Sequence, residues 1–527
     1  MMLNIEPGTW VKRPALAWLS LRSRLREDPF ARTCMLFAAL KLFYLIAGFF
    51  HDLHVQSFED LARMFFSFQF RGFQPLWHDV PWLPLPPIIQ SIPYIFHVAP
   101  WFLGSAFQTL ISTAGAMVAG MLARDLADGD WRAGTGVLAA WGGSEVLSIM
   151  GIGYLSEPLF HLQILLLLLA VLRWMKSGGR GWFRAVLVLL CAINLSRYEG
   201  WILTAALFGL MLIVLWDSRR QGLWRDWRGL WGVRWRDILL LAGGIVSMPL
   251  LWMGLNWLLR GDPLFFKKAT DAAFLENVEP TLLRMLSFYL EYLEEAWRAQ
   301  PVAIILGLAV LFVPGVMRGP AFIIVFTICV ITLSNYKFIT SGSTAFSYPE
   351  RLSSTLFVTM TPLFGLACFH LGRRLDRRWG KRPSKLVLYF MFAVMIATGL
   401  VGFTTRPSVL REEMGKDMVD DLHALLKKET GEPPRVLVEG TKSDYSVVLL
   451  YVGVHESEYV FFTRRPRYDP RDFLLIQNPS IRYLLLNHGA ENDRWLRVLG
   501  NCHLIGLGPM WNLYEYDRPR RPQSAHP

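Results

Sequence analysis

Cysteine is scarce in this 527-residue chain, which has five. Four of them lie in or beside apolar runs, and Cys502 alone lies in the more polar C-terminal part. Cysteines at regular spacing would indicate a disulfide framework, and paired C-x-x-C motifs would indicate a zinc site. Neither pattern occurs, so the sequence predicts neither kind of cross-link.

Glycine-rich phosphate loops are missing as well. The chain has 42 glycines, yet none form the G-x-G-x-x-G of a dinucleotide site or the G-x-x-x-x-G-K-[S/T] of a P-loop. The first 28 residues also lack the continuous apolar core of a cleavable signal peptide and are basic and amphipathic instead. We therefore expect a cytosolic N-terminal segment and no nucleotide-phosphate site of the glycine-loop type.

Apolar sequence is abundant. Hydrophobic residues make up 53% of the chain, and its mean hydropathy is +0.32. Apolar runs recur from residue 32 to residue 403 and then stop, and a run of about 18 or more residues is typical of a transmembrane helix. We predict a polytopic α-helical membrane protein with about eleven transmembrane helices. The predicted helices cover 32–50, 98–122, 133–152, 157–174, 183–196, 200–216, 238–259, 301–317, 320–337, 351–371 and 385–403.

Basic residues set the orientation of these helices. The net charge is +12, and Lys and Arg are concentrated in the N-terminal segment and in the connections 173–184, 217–237 and 370–385. Cytoplasmic loops of membrane proteins carry this excess. We therefore place these segments in the cytoplasm, which explains the net charge without nucleic acid as a partner. An odd number of spans then places the C-terminal part outside the cytoplasm.

Two domains follow: a transmembrane domain, residues 1–403, and an extracytoplasmic soluble α/β domain, residues 404–527. The second domain alternates strand and helix patterns after a first helix, which is typical of a small α/β sandwich. Its strand patterns are RVLVEG, EYVFFT, YLLLNH and HLIGLGPMWNLYEYD.

The first outer loop, 51–97, is long, aromatic and proline-rich. It opens with HDLHVQSFEDLARMFFSF, in which Ser57 and Asp60 form a capping box at the start of a helix. One explanation of Glu59 and Asp60 is therefore that they lie at the start of a helix, where the helix dipole stabilises negative charge. Carboxylates beside a span end are also well placed to take a proton from an acceptor hydroxyl. Asp60 is our first candidate for such a base, Glu59 the second and Asp52 the third.

Lys and Arg are usually concentrated in cytoplasmic loops and are rare at the outer ends of transmembrane helices. Arg197, Lys337 and Arg351 are nevertheless predicted there. Any one of these residues, taken alone, is explained as a side chain that extends to the phosphate of a membrane lipid. Together they would bind an anionic ligand, because arginine is suited to forked recognition of phosphate. We therefore name all three as candidate phosphate-binding residues.

Further polar residues mark the same face. Glu157, in GYLSEPLF, begins a predicted span, where Ser-Glu-Pro is ordinary helix-start chemistry; it is alternatively placed to bind a ligand hydroxyl or a metal. A metal site could be formed by residues of the types that bind divalent ions, but their spacing matches no metal motif: His51, Asp52, His54, His78 and Asp79. The sequence therefore indicates no required cofactor. A divalent metal ion is compatible with it, but the sequence does not identify the ligands of one.

This organisation resembles the GT-C superfamily of integral-membrane glycosyltransferases, which includes protein O-mannosyltransferases and lipid A aminoarabinose transferases. The resemblance covers most of the chain, from the basic N-terminus through the acidic outer loop to the outward C-terminal domain. FEDLARMFF resembles the acidic helix start after the first span, and WLPLPP the proline-rich segment of the same loop. LSRYEGW and YPERLSSTLFVTMTPLFG resemble Arg-containing span starts. The acidic pair runs Glu-Asp where relatives commonly have Asp-Glu, and no Lys precedes the proline-rich segment.

The resemblance implies that residues 1–403 are catalytic, with Glu59 or Asp60 as the catalytic carboxylate. It implies a polyprenyl-phosphate-sugar donor, a glycan, lipid or protein acceptor, and displacement with inversion on the outer face of the bacterial inner membrane. The phosphate of the donor would be bound by Arg351, Lys337 and Arg197. The remaining candidates for substrate binding are Glu157, Tyr198, His54 and His78.

A lipid or glycan transporter or flippase is the alternative, with charged outer residues lining a path. Transporters commonly have repeated halves and interrupted helices with charges near the membrane midplane. Here the charges cluster at outer span ends, and we find no internal repeat. A non-catalytic assembly scaffold is a third alternative, and turnover of a polyprenyl-phosphate sugar would separate the enzyme from both.

Overall fold

The computed structural model describes most of the predicted membrane region and part of the C-terminal domain. The described residues are 28–55, 63, 83–93, 100–219, 233–268, 287, 290, 293–294, 296–314, 316, 321–340, 349–408, 435–439, 459–462, 481–487, 502–507 and 511–516. The main helices are α1 (Pro29–Phe50), α2 (Leu85–Ser91), α3 (Pro100–Leu126), α4 (Trp131–Gly142), α5 (Glu145–Ile152), α6 (Glu157–Ser177), α7 (Arg180–Asn194), α8 (Tyr198–Arg219), α9 (Trp235–Arg260), α10 (Pro301–Ala309), α11 (Ala321–Thr340), α12 (Pro349–Trp379) and α13 (Lys381–Thr405).

Local sequence explains where several of these helices begin and end. The carboxylate of Asp28 accepts a hydrogen bond from the amide of Phe30 (2.9 Å), with Pro29 in the first turn of α1. Asp130 caps α4 in the same way. Helix α6 ends at Gly178, which has the left-handed φ of +67° that glycine adopts without strain.

The eleven predicted spans each coincide with a helix or helix pair, but their number is not confirmed. Among the described residues, seven helices are long and apolar enough to cross a membrane, or eight if the bent pair α4–α5 is one span. Helix α7 has only 15 residues, about 22 Å at 1.5 Å per residue, against a hydrocarbon core of about 30 Å. Two further apolar helices are also short: α10 with the turn that follows it (Pro301–Phe312), and the apolar part of α11 (Ala321–Leu333).

The predicted span 133–152 is in fact two helices, α4 and α5, which meet at 73°. The Ser144 hydroxyl accepts a hydrogen bond from the amide of Leu147 (3.3 Å) and so starts α5. The carbonyls freed at the break are bonded by side chains: Tyr44 donates to Gly142 (2.8 Å), and Gln300 to Gly143 (3.0 Å). A broken helix within a membrane requires such partners.

One end of the helix bundle, here called the basic end, is marked by ion pairs between neighbouring helices. These are Arg124–Asp28 (3.0 Å), Arg173–Asp125 (2.6 Å), Arg132–Asp376 (2.5 Å) and Arg180–Asp237 (2.5 Å). At the opposite end, here called the loop end, Ser408 donates to the carbonyl of Asp52 (3.2 Å). Asp28 and Thr405 therefore lie at opposite ends of the bundle.

Small residues allow close packing around α12, which is central in the bundle. A Cβ on Gly365 of α12 would lie 2.5 Å from the carbonyl oxygen of Ala133 on α4. The indole nitrogen of Trp141 donates to the hydroxyl of Thr361 (3.1 Å) between the same two helices. Small residues and polar contacts of this kind are how helices associate in membranes.

The C-terminal part contains a five-stranded mixed sheet. Its strands are β1 (Arg435–Glu439), β2 (Tyr459–Phe462), β3 (Ile481–Asn487), β4 (Cys502–Leu507) and β5 (Trp511–Tyr516), in the order β2-β1-β3-β5-β4. The first three strands are parallel, while β4 and β5 form an antiparallel hairpin. The last predicted strand pattern is therefore two strands. The helices predicted between the strands lie outside the described residues, so the α/β architecture and the boundary at residue 404 stay predictions.

The cytoplasmic orientation of the basic end is tested by thiol labelling of intact cells. In a cysteine-free background, a cysteine at Gln523 should react with a membrane-impermeant reagent before lysis, because the positive-inside rule places the C-terminal domain outside. A cysteine at Ser177, exposed between α6 and α7, should react only after lysis. The reverse pattern would contradict the predicted orientation.

Candidate functional site

A buried ionic cluster lies at the loop end, formed by Ser156, Glu157, Arg197 and Glu199 and here called the Arg197 cluster. The Arg197 guanidinium donates to Glu157 through Nη1, to Glu199 Oε1 through Nη2 (2.6 Å), and to the hydroxyl of Ser156 (3.2 Å). The exposed side-chain fractions are 0% for Glu157, 9% for Glu199 and 15% for Arg197. A single guanidinium therefore joins two buried carboxylates.

Helix starts explain this cluster. Glu157 lies in the first turn of α6 and Glu199 in the first turn of α8, where the helix dipole favours a carboxylate. Arg197 lies in the turn that joins α7 to α8. Buried charges require partners of opposite sign, and Arg197 is such a partner for both carboxylates. Carboxylates, a guanidinium and a hydroxyl together offer both acceptors and donors of hydrogen bonds, which suits a ligand that carries hydroxyl groups.

A second polar contact lies one turn deeper. Nε2 of His161 on α6 is 3.0 Å from the hydroxyl of Thr355 and 3.4 Å from that of Ser354, both on α12. Helices α6 and α12 both enter the bundle from the loop end. Arg351 precedes Ser354 and Thr355 by three and four residues, so its backbone lies one turn of α12 nearer the loop end. The helix geometry therefore places the backbone of Arg351 near the level of Glu157; its side chain is outside the described part.

Tyr198 lies beside the cluster within a group of aromatic rings. Its ring stacks on that of Phe266, with centroids 5.0 Å apart and planes at 14°. Trp201 meets both rings edge-on, and the indole of Trp252 donates to the Tyr198 hydroxyl (3.3 Å). Tyr198 thus joins α8 to α9 and to the outer connection that follows α9.

Asp52 and His54 pack where the first outer loop leaves α1. Both are buried, and Asp52 has a left-handed φ of +56°, which aspartate tolerates better than most residues. The His54 ring stacks on Phe49 with centroids 4.5 Å apart. Leu53 between them packs in one cluster with Ile149 of α5. The start of the loop is therefore buried, and Leu53 joins it to the apolar cluster that includes α5.

The far part of the same loop is anchored nearby. The amide of Leu85 donates to the carbonyl of Leu195 (3.1 Å), in the turn that carries Arg197. The side chain of Gln90 donates to the carbonyls of Tyr154 (2.8 Å) and Leu155 (3.2 Å), in the turn before Glu157. The later part of the first outer loop is thus attached to both turns that carry the Arg197 cluster.

The structure brings together some of the predicted site residues. Glu157, Arg197 and Tyr198 are neighbours, while Asp52 and His54 lie at the start of the loop. Three predicted residues fall outside the described part of the chain: Glu59, Asp60 and His78. Lys337 and Arg351 are described in backbone only, on α11 and α12.

Sequence reasoning missed Glu199, His161 and Gln90. Glu199 stands two residues after Arg197, and His161 stands four residues after Glu157 on the same helix face, so spacing was an available signal for both. Gln90 is an isolated amide in the apolar segment PLPPIIQSIP. Within the described residues, no group of three or more His, Cys, Asp or Glu side chains is arranged to hold a metal ion, so no metal-dependent step is derived for this site.

Comparison with known proteins identifies the fold. No protein-family model matches the chain, and no curated protein matches its sequence. The chain is similar to crystal structures of ArnT from Cupriavidus metallidurans, one in the apo state and one bound to undecaprenyl phosphate. Each is 14% identical with a TM-score of 0.60, over 92% of this chain and 97% of the apo or 98% of the bound chain. This chain therefore has the fold of ArnT, a GT-C glycosyltransferase, and the predicted resemblance is confirmed at the level of the fold.

Proposed function

We propose that this protein is a glycosyltransferase that moves a hexosyl or pentosyl group from a polyprenyl-phosphate sugar to a glycan, lipid or protein acceptor. The reaction would take place at the outer face of the bacterial inner membrane. The observation that supports this proposal best is the attachment of the later part of the first outer loop to the two turns that carry the Arg197 cluster. Glu59 and Asp60 belong to the loop whose start packs on α5 through Leu53 and whose later part is bonded to the turn before Glu157.

The donor class is supported by chemistry as well as fold. One ArnT structure holds undecaprenyl phosphate, which is the group that remains when a polyprenyl-phosphate sugar gives up its sugar. Nucleotide sugars are cytosolic, and this chain has no glycine loop for nucleotide phosphates. A donor used on the outer face would be anchored in the membrane, with its phosphate near the outer span ends.

The proposed reaction is one displacement. Asp60, with Glu59 and Asp52 as alternatives, takes the proton of an acceptor hydroxyl. The acceptor oxygen attacks the anomeric carbon, and the bond from that carbon to the phosphate oxygen breaks. Its electron pair leaves with the polyprenyl phosphate, so the anomeric configuration inverts. Positive side chains stabilise the leaving phosphate.

Arg351 is the first candidate for that stabilising role, followed by Lys337. Arg197 was a third candidate, but its guanidinium is already bonded to Glu157 and Glu199, so binding phosphate would require it to exchange a carboxylate. We propose instead that Glu157, held by Arg197, binds a sugar hydroxyl. Tyr198, His54 and His78 remain proposed substrate contacts.

Turnover by the purified protein tests this proposal. The protein in lipid nanodiscs would be offered undecaprenyl-phosphate mannose, glucose and aminoarabinose in separate reactions with a membrane lipid extract as acceptor. Release of undecaprenyl phosphate, with the sugar recovered on another molecule, is the expected result. No release from any hexose- or pentose-bearing donor would contradict the proposal.

One observation favours the alternative, a transporter. The break between α4 and α5 is a feature that transporters use to form binding sites within the membrane. The bonded carbonyls at the break and the ion pair of Glu145 with Arg406 (2.9 Å) hold it in one arrangement. Movement of a fluorescent undecaprenyl-phosphate lipid across proteoliposomes, without release of the sugar, would support the transporter.

Substituting Arg351 tests the phosphate contact. Loss of a charge-assisted hydrogen bond costs about 1.5–3 kcal/mol, so Arg351→Ala should lower kcat/KM for the donor roughly tenfold to a hundredfold. Arg351→Lys should recover only part, because lysine lacks the arginine fork. Arg374→Ala, exposed near the other end of the same helix, is the matched control. Equal donor kinetics in Arg351→Ala and wild type would assign Arg351 to lipid headgroups.

A further inference from the structure

The later part of the first outer loop, residues 83–93, connects the two turns that carry the Arg197 cluster. Through Leu85 it is bonded to the turn before Arg197, and through Gln90 to the turn before Glu157. Leu83 also packs with Phe266 in the aromatic group around Tyr198. Because it is hydrogen-bonded to both turns, this segment is placed to set their relative position.

Gln90 makes the more specific of these contacts. Its side chain is 1% exposed, and the single amide nitrogen donates to two successive carbonyls, at 2.8 Å and 3.2 Å. Tyr154 and Leu155 lie between α5 and α6, where the chain is not helical. Buried carbonyls outside regular structure need a partner. The amide oxygen of Gln90 has no partner among the described residues, so the nitrogen carries the attachment.

The bonded turn leads directly into Glu157. Leu155 is followed by Ser156 and Glu157, which both bond to Arg197. A shift of the 154–155 carbonyls would therefore move the first turn of α6 and the carboxylate that it presents. Misplacement of a group by about 1 Å is enough to lower a reaction rate about a hundredfold.

We infer that Gln90 is a positioning residue for the proposed transfer: it couples the first outer loop to Glu157 by holding the turn 154–155. The inference rests on the proposed function. Gln90 acts through Glu157 and contacts neither the donor nor the acceptor.

Gln90→Met tests this role, because methionine keeps the length of the side chain and removes its donor. With the donor that the wild-type protein turns over, kcat should fall about tenfold to a hundredfold, with a smaller change in KM. Gln163→Met is the matched control: Gln163 is also a buried glutamine, on α6 but beyond the cluster, and its kcat should stay within about threefold. If Gln90→Met does not fold, Gln90→Asn, whose amide is one methylene shorter, should show a smaller fall in kcat.

Coupling to Glu157 separates positioning from general damage. Gln90→Met combined with Glu157→Gln should turn over at about the rate of Glu157→Gln alone, within about twofold, because residues that act through one contact are not additive. Multiplied losses would overturn the inference, and so would unchanged kcat in the folded Gln90 variants. Absence of turnover in the wild-type protein would contradict the proposed function itself, which is a distinguishable outcome.

Discussion

Asp60→Asn is expected to lower turnover by at least about a hundredfold while leaving folding and donor binding in place. Asparagine has nearly the size of aspartate and retains some ability to cap a helix, but it has neither the charge nor the basicity. If Asp60 only starts a helix, the same change should cost at most about 1 kcal/mol of stability and leave turnover nearly intact. Steady-state turnover and thermal unfolding of the same preparations distinguish the two roles.

Neighbouring carboxylates supply the controls for this result. Near-normal turnover in Asp60→Asn beside an inactive Glu59→Gln would move the role of base by one residue. Near-normal turnover in both would leave these carboxylates as helix-start residues. The base would then be sought at Asp52, at the buried start of the loop, or at Glu157 in the Arg197 cluster.

Arg197→Met is expected to destabilise the protein by about 3–5 kcal/mol, because it leaves two buried carboxylates without their common partner. Glu157 is fully buried and Glu199 nearly so, so neither regains full hydration. Arg197→Lys should be intermediate, since one ammonium cannot reproduce a guanidinium that bonds both carboxylates and Ser156. Unfolding in graded denaturing detergent measures the effect.

Removing the whole charge cluster provides the control. The triple variant Glu157→Gln, Arg197→Met, Glu199→Gln should recover much of the lost stability, because it removes the three charges of the cluster together. It should remain deficient in transfer, since the proposed function assigns the Glu157 carboxylate to the substrate. A folded Arg197→Met protein with wild-type stability would show that the carboxylates have other sufficient partners. That result would return Arg197 to the phosphate-binding candidates.

The sequence by itself determined the positions of the long helices and the charge asymmetry of the bundle. Long apolar runs leave few alternatives to helix within a membrane, because every backbone group there must be bonded internally. The same reasoning gave the strands of the C-terminal sheet and the resemblance to the GT-C fold. It did not give the break in the span 133–152: Gly142, Gly143 and Ser144 were visible there, but the apolar residues on both sides continue the pattern of a single span.

Only the tertiary structure decided which polar groups meet. Arg197 and Glu157 are separated by 40 residues, and His161 and Thr355 by 194, while Gln90 bonds a turn more than 60 residues further along the chain. These pairs depend on which helices pack side by side. Lipid is as apolar as the core of the bundle, so hydrophobicity does not specify helix neighbours, and the choice depends on small residues and shape at each contact. Arg197 illustrates both sources: the sequence itself places Glu199 two residues away, whereas the packing of α6 against α7 brings Glu157 to the same guanidinium.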